Sequence, residues 1–179
     1  PFERIFAAAD LASRMELSAL PQLRTLITDS DSAVRYWAAL GFLMRGKPGV
    51  DHGATVLRQA LSDKSPYVRI VAAQALAQYG PASDLESALA VLRELTPPAK
   101  NGVMVAMPAL SAIEELGPKA ASLHELVRTM SPTGPSPDGR YNGYVVRLIE
   151  NIAPKPVGAA APGKGKGKGK RKAATKSAP

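Results

Sequence analysis

Apolar side chains recur over residues 68–79 at Val68, Val71, Ala72, Ala75, Leu76 and Tyr79, the i, i+3, i+4, i+7 spacing that lines one face of a helix. The spacing predicts an amphipathic helix over residues 66–79. Ser65 and Pro66 stand at its start, a hydroxyl able to cap and a proline where a missing N–H costs nothing. Gly80 and Pro81 end it. The stretch VRIVAAQALAQYG at 68–80 has a counterpart in VRYWAALGFLMRG at 34–46, with Asp31 in the place of Ser65 and Gly46 in the place of Gly80. A matching helix is therefore expected over residues 32–45, with Val34 and Ala38 facing the core as Val68 and Ala72 do.

A shorter apolar pattern precedes each copy, at Leu20, Leu23, Leu26 and Ile27 and again, 34 residues on, at Ala54, Leu57, Ala60 and Leu61. Each unit reads as a helix, a turn carrying Asp29 or Asp63, a second helix and a glycine. The frame L-R-x-x-[IL]-[ST]-D-x-x-x-x-V-R-x-x-A-A covers residues 23–39 and 57–73. Two helices in a period of 34 residues cannot bury an apolar face alone and must stack on neighbours. The expected fold is all-α, a right-handed α–α superhelix. Outside these copies the pattern continues less regularly. Residues 4–12 align with the second helix of a unit, so the chain is expected to open mid-repeat with Ile5, Phe6, Ala9 and Leu11 short of a covering helix. Helices are expected at 85–95, 103–116 with a kink at Pro108, 123–130 and 141–152, with a turn-rich insertion at 131–140, for about four and a half repeats.

The repeated residues Asp29, Val34, Arg35, Ala38, Ala39 and Gly46, then Asp63, Val68, Arg69, Ala72, Ala73 and Gly80, resemble those of HEAT-like repeats, including the phycobilisome-lyase HEAT-like variety. The resemblance implies a scaffold or interaction domain, alanine pairs that let helices approach closely, and recurrent Asp and Arg that bond along the stack. The wording of residues 8–46, R-Y-W-A-A-x-G at 35–41 above all, with DGRYNGYVVRLIENI at 138–152, is similar to the HEAT-type extension after the catalytic domain of planctomycete-type bacterial sulfatases. That resemblance implies a parent hydrolase of sulfate esters with a formylglycine nucleophile and a bound divalent cation, calcium, and makes the upstream catalytic domain the expected partner. It also implies a periplasmic or secreted location, against a cytoplasmic one for a free-standing protein. No C/S-x-P-x-R motif occurs in this chain, so these residues are expected to be non-catalytic and to hold no cofactor.

Charge divides the chain in two. Residues 1–153 carry 15 Lys and Arg against 15 Asp and Glu, so the whole net charge of +8 belongs to residues 154–179. That Lys-, Gly- and Ala-rich tail buries too little apolar surface to offset the entropy of ordering and is expected to be disordered. Its Lys164, Lys166, Lys168, Lys170, Arg171 and Lys172 are candidate ligands for a polyanion, a sulfated polysaccharide in the sulfatase setting. The tail somewhat resembles lysine-rich histone-like tails, which keeps a nucleic-acid-associated protein as an alternative. Without aromatic or base-reading side chains, binding there would be nonspecific and salt-sensitive. The P-loop frame fails, and no apolar run is long enough to span a bilayer.

Candidate chemistry is sparse. With no cysteine there is no disulfide, thiol nucleophile or thiolate metal site. His52, expected at a turn after Gly49, and His124 fall in different units without metal-ligand spacing. Glu114–Glu115 and Asp84–Glu86 read as carboxylates of solvated helices. Trp37, in the slot of Val71, is expected in the core, while Tyr36 is the candidate exposed anchor for a partner. A non-catalytic scaffold is the reading that results, with a free-standing protein–protein adaptor as its alternative.

Overall fold

The two matched helices form as α3 (Ser32–Met44) and α5 (Pro66–Tyr79) in the computed structural model, which describes residues 2–154. Around them stand α1 (Phe2–Ser13), α2 (Leu20–Leu26), α4 (Gly46–Ala60), α6 (Ala82–Leu95), the short α7 (Pro98–Asn101), α8 (Val103–Leu116), α9 (His124–Thr129) and α10 (Asn142–Ile152). Short 3-10 turns lie at Leu17–Ala19, Gly117–Leu123 and Gly139–Tyr141. Among the described residues there is no strand.

The helices stack as the periodicity requires. An inner row runs α1, α3, α5, α8, α10, each packed on the next, and α2, α4 and α6 cover it from outside. The described residues form an all-α solenoid. Val34, Ala38, Ala39 and Phe42 of α3 and Val68, Ala72, Ala73 and Leu76 of α5 are buried in the joints. Burying each large apolar side chain stabilises the stack by about 1.5–3 kcal/mol, and the alanines, with no side chain beyond Cβ, let neighbouring helices approach closely.

Glycine brings α4 onto α3. A Cβ on Gly49 would lie 2.4 Å from the Phe42 carbonyl oxygen, and one on Gly53 would lie 2.6 Å from the Phe42 ring. Any larger residue would push the two helices apart.

Several expectations are corrected. Asp51 and His52 do not stand at a turn but inside α4, because Gly46 at φ +61 reverses the chain in one residue and the helix begins there at once. Lys47 then bonds the Asp51 carboxylate at 2.8 Å one helical turn away. Gly80, aligned with Gly46 in sequence, is extended instead, at φ −74 and ψ 173, and a Cβ there would meet the Leu76 carbonyl oxygen at 2.5 Å. The same residue type thus serves a left-handed turn in one unit and a close backbone approach in the next. The Ser65 hydroxyl makes no capping bond, since Asp63 organises that turn by accepting the Ser65 N–H at 2.7 Å, whereas the Asp31 cap accepts from the Ala33 N–H at 2.8 Å. The helix expected over 123–130 starts as the 3-10 turn after Gly117–Pro118 and becomes α only at His124. Asp84 is buried on α6, not solvated. Trp37 is half-buried and stacks edge-on with Tyr36, ring centroids 5.8 Å apart, while its counterpart Val71 is buried.

Candidate interaction surface

Charged side chains tie the units together. The recurrent aspartates stand in the turns between paired helices and act in two directions. Asp29 accepts the Asp31 N–H at 2.8 Å, as Asp63 accepts that of Ser65, which fixes each turn. Each carboxylate also receives an arginine from the preceding inner helix, Arg4 of α1 on Asp29 and Arg35 of α3 on Asp63, the latter through Nε and Nη2 at 2.7 and 2.8 Å. Arg35 Nη1 also holds the carbonyls of Asp29 and Ser30 in its own turn, at 2.9 and 3.0 Å. The next rung departs from the repeat. The residue 34 positions after Asp63 is Pro97, and Arg69 of α5 bonds instead to Glu94, at the end of α6, at 2.6 Å. The Asp31 amide and the Arg4 guanidinium lower the Asp29 pKa below the ordinary carboxylate value. Burial pushes that of Asp63 up, but Arg35 and the Ser65 amide outweigh it and the value is lowered; Arg69 lowers that of Glu94. These bonds run along the stack and leave the repeated Asp and Arg little capacity for a ligand.

Arg45 is a second brace, at a position where the other unit has Tyr79. It is buried, and its guanidinium donates to the carbonyls of Leu11 and Ala12 at 3.0 Å each, of Gly41 at 2.8 Å and of Glu16 at 2.9 Å. The first two belong to the last turn of α1, whose carbonyls lack intrahelical donors and carry the negative end of the helix dipole. Lys119 does the same for α5 two units on, donating to Ala77 and Gln78 at 3.2 and 2.6 Å. On α6, buried Asp84 accepts Arg58 Nε at 2.8 Å. No sequence pattern marks Arg45 and Lys119, because all but one of the carbonyls they reach lie 29 to 42 residues away.

With the charges committed to the joints, an apolar feature stays open between them. A groove of about 600 Å³ runs across α3, α5 and α8 on the inner row, lined by Tyr36 and Leu40, by Tyr67, Ile70 and Gln74, and by Pro108 and Ser111. The groove arises where the repeat departs from itself. Ala33 occupies the slot of Tyr67, and Tyr36 that of Ile70, so equivalent positions on α3 and α5 bring side chains of unlike size to the lining. Leu40, Gln74 and Ser111 each stand six residues before a unit-closing glycine, Gly46, Gly80 or Gly117, and all three line the groove. That alignment of three units is the signal in the sequence that would have located the groove.

Residues 55–82, the end of α4, the aspartate turn and all of α5, match the family model of the HEAT repeat. The units are HEAT-like repeats. HEAT repeats are typically non-catalytic and commonly mediate protein interactions. No curated protein matches this chain.

The remaining candidates do not converge. His52 is exposed on α4 and His124 opens α9 in another unit. Glu114 bonds the Asn151 side chain at 2.8 Å, and Glu86 faces Arg93 at 3.6 Å. Among the described residues no group of His, Asp and Glu is arranged to hold a metal ion, and no helix is long and apolar enough to cross a membrane. Lys164, Lys166, Lys168, Lys170, Arg171 and Lys172 lie outside the described residues.

Proposed function

We propose that this segment is a non-catalytic HEAT-repeat scaffold that docks a partner protein in the groove across α3, α5 and α8. The observation that carries the reading is the groove itself, an apolar floor rimmed by two tyrosines on a face that the solenoid leaves open. Aromatic anchors of this kind carry a large share of binding energy where they are desolvated. A photo-crosslinking residue at Tyr67 in the full chain should capture the partner. The purified partner should then bind the unmodified chain, and Gln74→Lys, which puts a charge into the groove, should weaken that binding at least tenfold. Unaltered binding by Gln74→Lys would remove the reading.

The finer proposal is that the scaffold forms the C-terminal part of a bacterial sulfatase. It rests on the wording of residues 8–46 and 138–152, and the divalent cation would belong to the catalytic domain of that parent. The coding sequence ahead of Pro1 tests it: a domain with the C/S-x-P-x-R motif supports a sulfatase, and an initiator methionine supports the free-standing adaptor. The chain as it stands should not hydrolyse a chromogenic aryl sulfate, having no nucleophile for the step, and turnover that survives purification would contradict this. Residues 154–179, which hold all the excess positive charge, are proposed to bind a polyanion, with a sulfated polysaccharide favoured over nucleic acid by the sulfatase resemblance.

A further inference from the structure

Among the described residues every arginine except Arg24 and Arg147 bonds a carboxylate or a backbone carbonyl. Arg24 belongs to the outer helix α2, whereas Arg147 borders a cavity at the start of α10. Arg140, Gly143, Tyr144 and Arg147 line that cavity of about 140 Å³, the room of roughly five waters at about 30 Å³ each. Two guanidinium groups and no carboxylate belong to the lining.

The cations are held in place before any ligand arrives. The guanidinium carbon of Arg147 lies 5.6 Å from the centre of the Tyr144 ring, and the Tyr141 ring stands 6.3 Å from that of Tyr144. A guanidinium over an aromatic face is attracted to it. Its N–H edge, which can take a carboxylate in two parallel bonds, has no acceptor among the described residues. Arg140 supplies the second cation. Its Nε and Nη2 both donate to one oxygen of Asp138, at 2.9 and 2.7 Å, and Nη1 is left without an acceptor. Glu150, three residues beyond Arg147, does not line the cavity and pairs with neither arginine. With Asp138 set against Arg140, the charge left at the cavity is that of one cation. A monoanion balances it, whereas a phosphate monoester, with a charge of about −1.5 to −2 near neutrality, exceeds it.

The cavity shares the open face of the groove. The Asn151 side chain donates to Glu114 at 2.8 Å, so the edge of α10 that bears Asn151 borders α8. Tyr144 and Arg147 stand seven and four residues before Asn151 and occupy that same edge, as Ser111, three residues before Glu114, occupies the facing edge of α8. The groove lined by Ser111 holds no charged side chain, and the next opening along the row holds two arginines.

We infer that Arg147 and Arg140 bind a carboxylate presented by the partner protein, an aspartate or glutamate side chain beside the stretch that enters the groove. The inference rests on the docking role proposed above for the source of that carboxylate. The carboxylate accepts from the free edge of Arg147 and from Arg140 Nη1, and the rings of Tyr141 and Tyr144 keep Arg147 in position to receive it.

The probe is a capped peptide, Leu-Ala-Glu-Ala-Leu, titrated into the full chain at low ionic strength while backbone amide and arginine Nε–H NMR shifts are followed. Comparison peptides carry glutamine or phosphoserine in place of the glutamate. The glutamate peptide should give saturable shifts at Gly143, Tyr144 and the Arg147 Nε–H, and added salt should weaken its binding. The glutamine peptide should bind at least tenfold more weakly, and Arg147→Gln should lose the shifts without a change in melting temperature. Should Arg147→Gln melt early, Arg140→Gln replaces it. Equal binding by the glutamine peptide, tighter binding by the phosphoserine peptide, shifts confined to other surfaces, or no saturable shift overturns the inference. Each of those results leaves the groove to be judged by the captured partner and Gln74→Lys. Partner binding that Gln74→Lys does not alter removes the docking role instead, while the shifts at α10 still decide whether the arginines take a carboxylate.

Discussion

Single residues decide whether the units can touch. Ala72 is fully buried between helices of the inner row. Ala72→Glu would place a carboxylate there with no cation and no water, and the expected loss is roughly 4 kcal/mol or more. It is read as a fall in the midpoint of chemical denaturation. Arg45 tests a different mechanism. Burial lowers its pKa from the ordinary guanidinium value, and the four carbonyls it serves repay that desolvation. Arg45→Met keeps much of the volume but leaves those acceptors unpaired in a closed joint, at an expected cost of about 3 kcal/mol. The loss should begin at α1, with hydrogen exchange at Leu11 to Ser13 accelerating before that of α5. Uniform acceleration across the chain would contradict a brace local to the α1–α3 joint.

At the scale of elements, the bonded pairs between neighbouring units link stability to pH. Asp29, Asp63 and Glu94 have pKa values below their ordinary values of 3.8, 3.8 and 4.5, so the folded chain binds these protons more weakly than the unfolded one. Their contribution is present in full above the unfolded values and is lost as pH falls through the folded ones. The melting temperature should therefore be level near neutrality and fall from about pH 4 downward. Asp63→Asn keeps the acceptor for the Ser65 N–H but removes the charge opposite Arg35, with an expected cost of about 1–3 kcal/mol near neutral pH. The variant should lose less stability than the parent chain on acidification, and parallel pH curves would show that the pair is not a source of the slope. Asp63 was visible in sequence as a repeated position, with Arg35 as its expected kind of partner. Glu94 was not, because Pro97 interrupts the period and the carboxylate arrives from another turn.

The whole molecule combines a charge-balanced solenoid with a tail that carries the excess positive charge. Removing residues 154–179 should leave the melting temperature within a degree or so, because the inner row ends in α10 at Ile152. The same deletion should abolish retention on heparin at low salt, since residues 1–153 carry equal numbers of acidic and basic side chains. A truncated chain that still binds heparin would relocate the polyanion site to the solenoid. At the far end of the row, Phe2 and Phe6 stack with centroids 6.2 Å apart and remain 72% and 64% exposed. These exposed rings extend the row's apolar surface beyond the side chains that α1 buries against α3.

The sequence by itself determined the helices, their pairing into units and the buried faces of α3 and α5. Each depends on spacing along the chain: 3.6 residues for a helix face and 34 for a unit. Even the departures from expectation at Gly46 and at the start of α9 moved boundaries without changing which faces were buried. Tertiary structure alone decided which unlike residues became neighbours. Leu40, Gln74 and Ser111 hold equivalent places in three units, but they line one groove only because α3, α5 and α8 stack in register. Arg45 is an ordinary basic residue until α1 offers it the end of a helix, and Tyr36, whose counterpart Ile70 is buried, borders open space where equivalent positions such as Ala33 and Tyr67 bring side chains of unlike size to the lining. A repeat encodes what its copies have in common. The groove comes from their differences, which acquire a location only when packing sets the copies side by side.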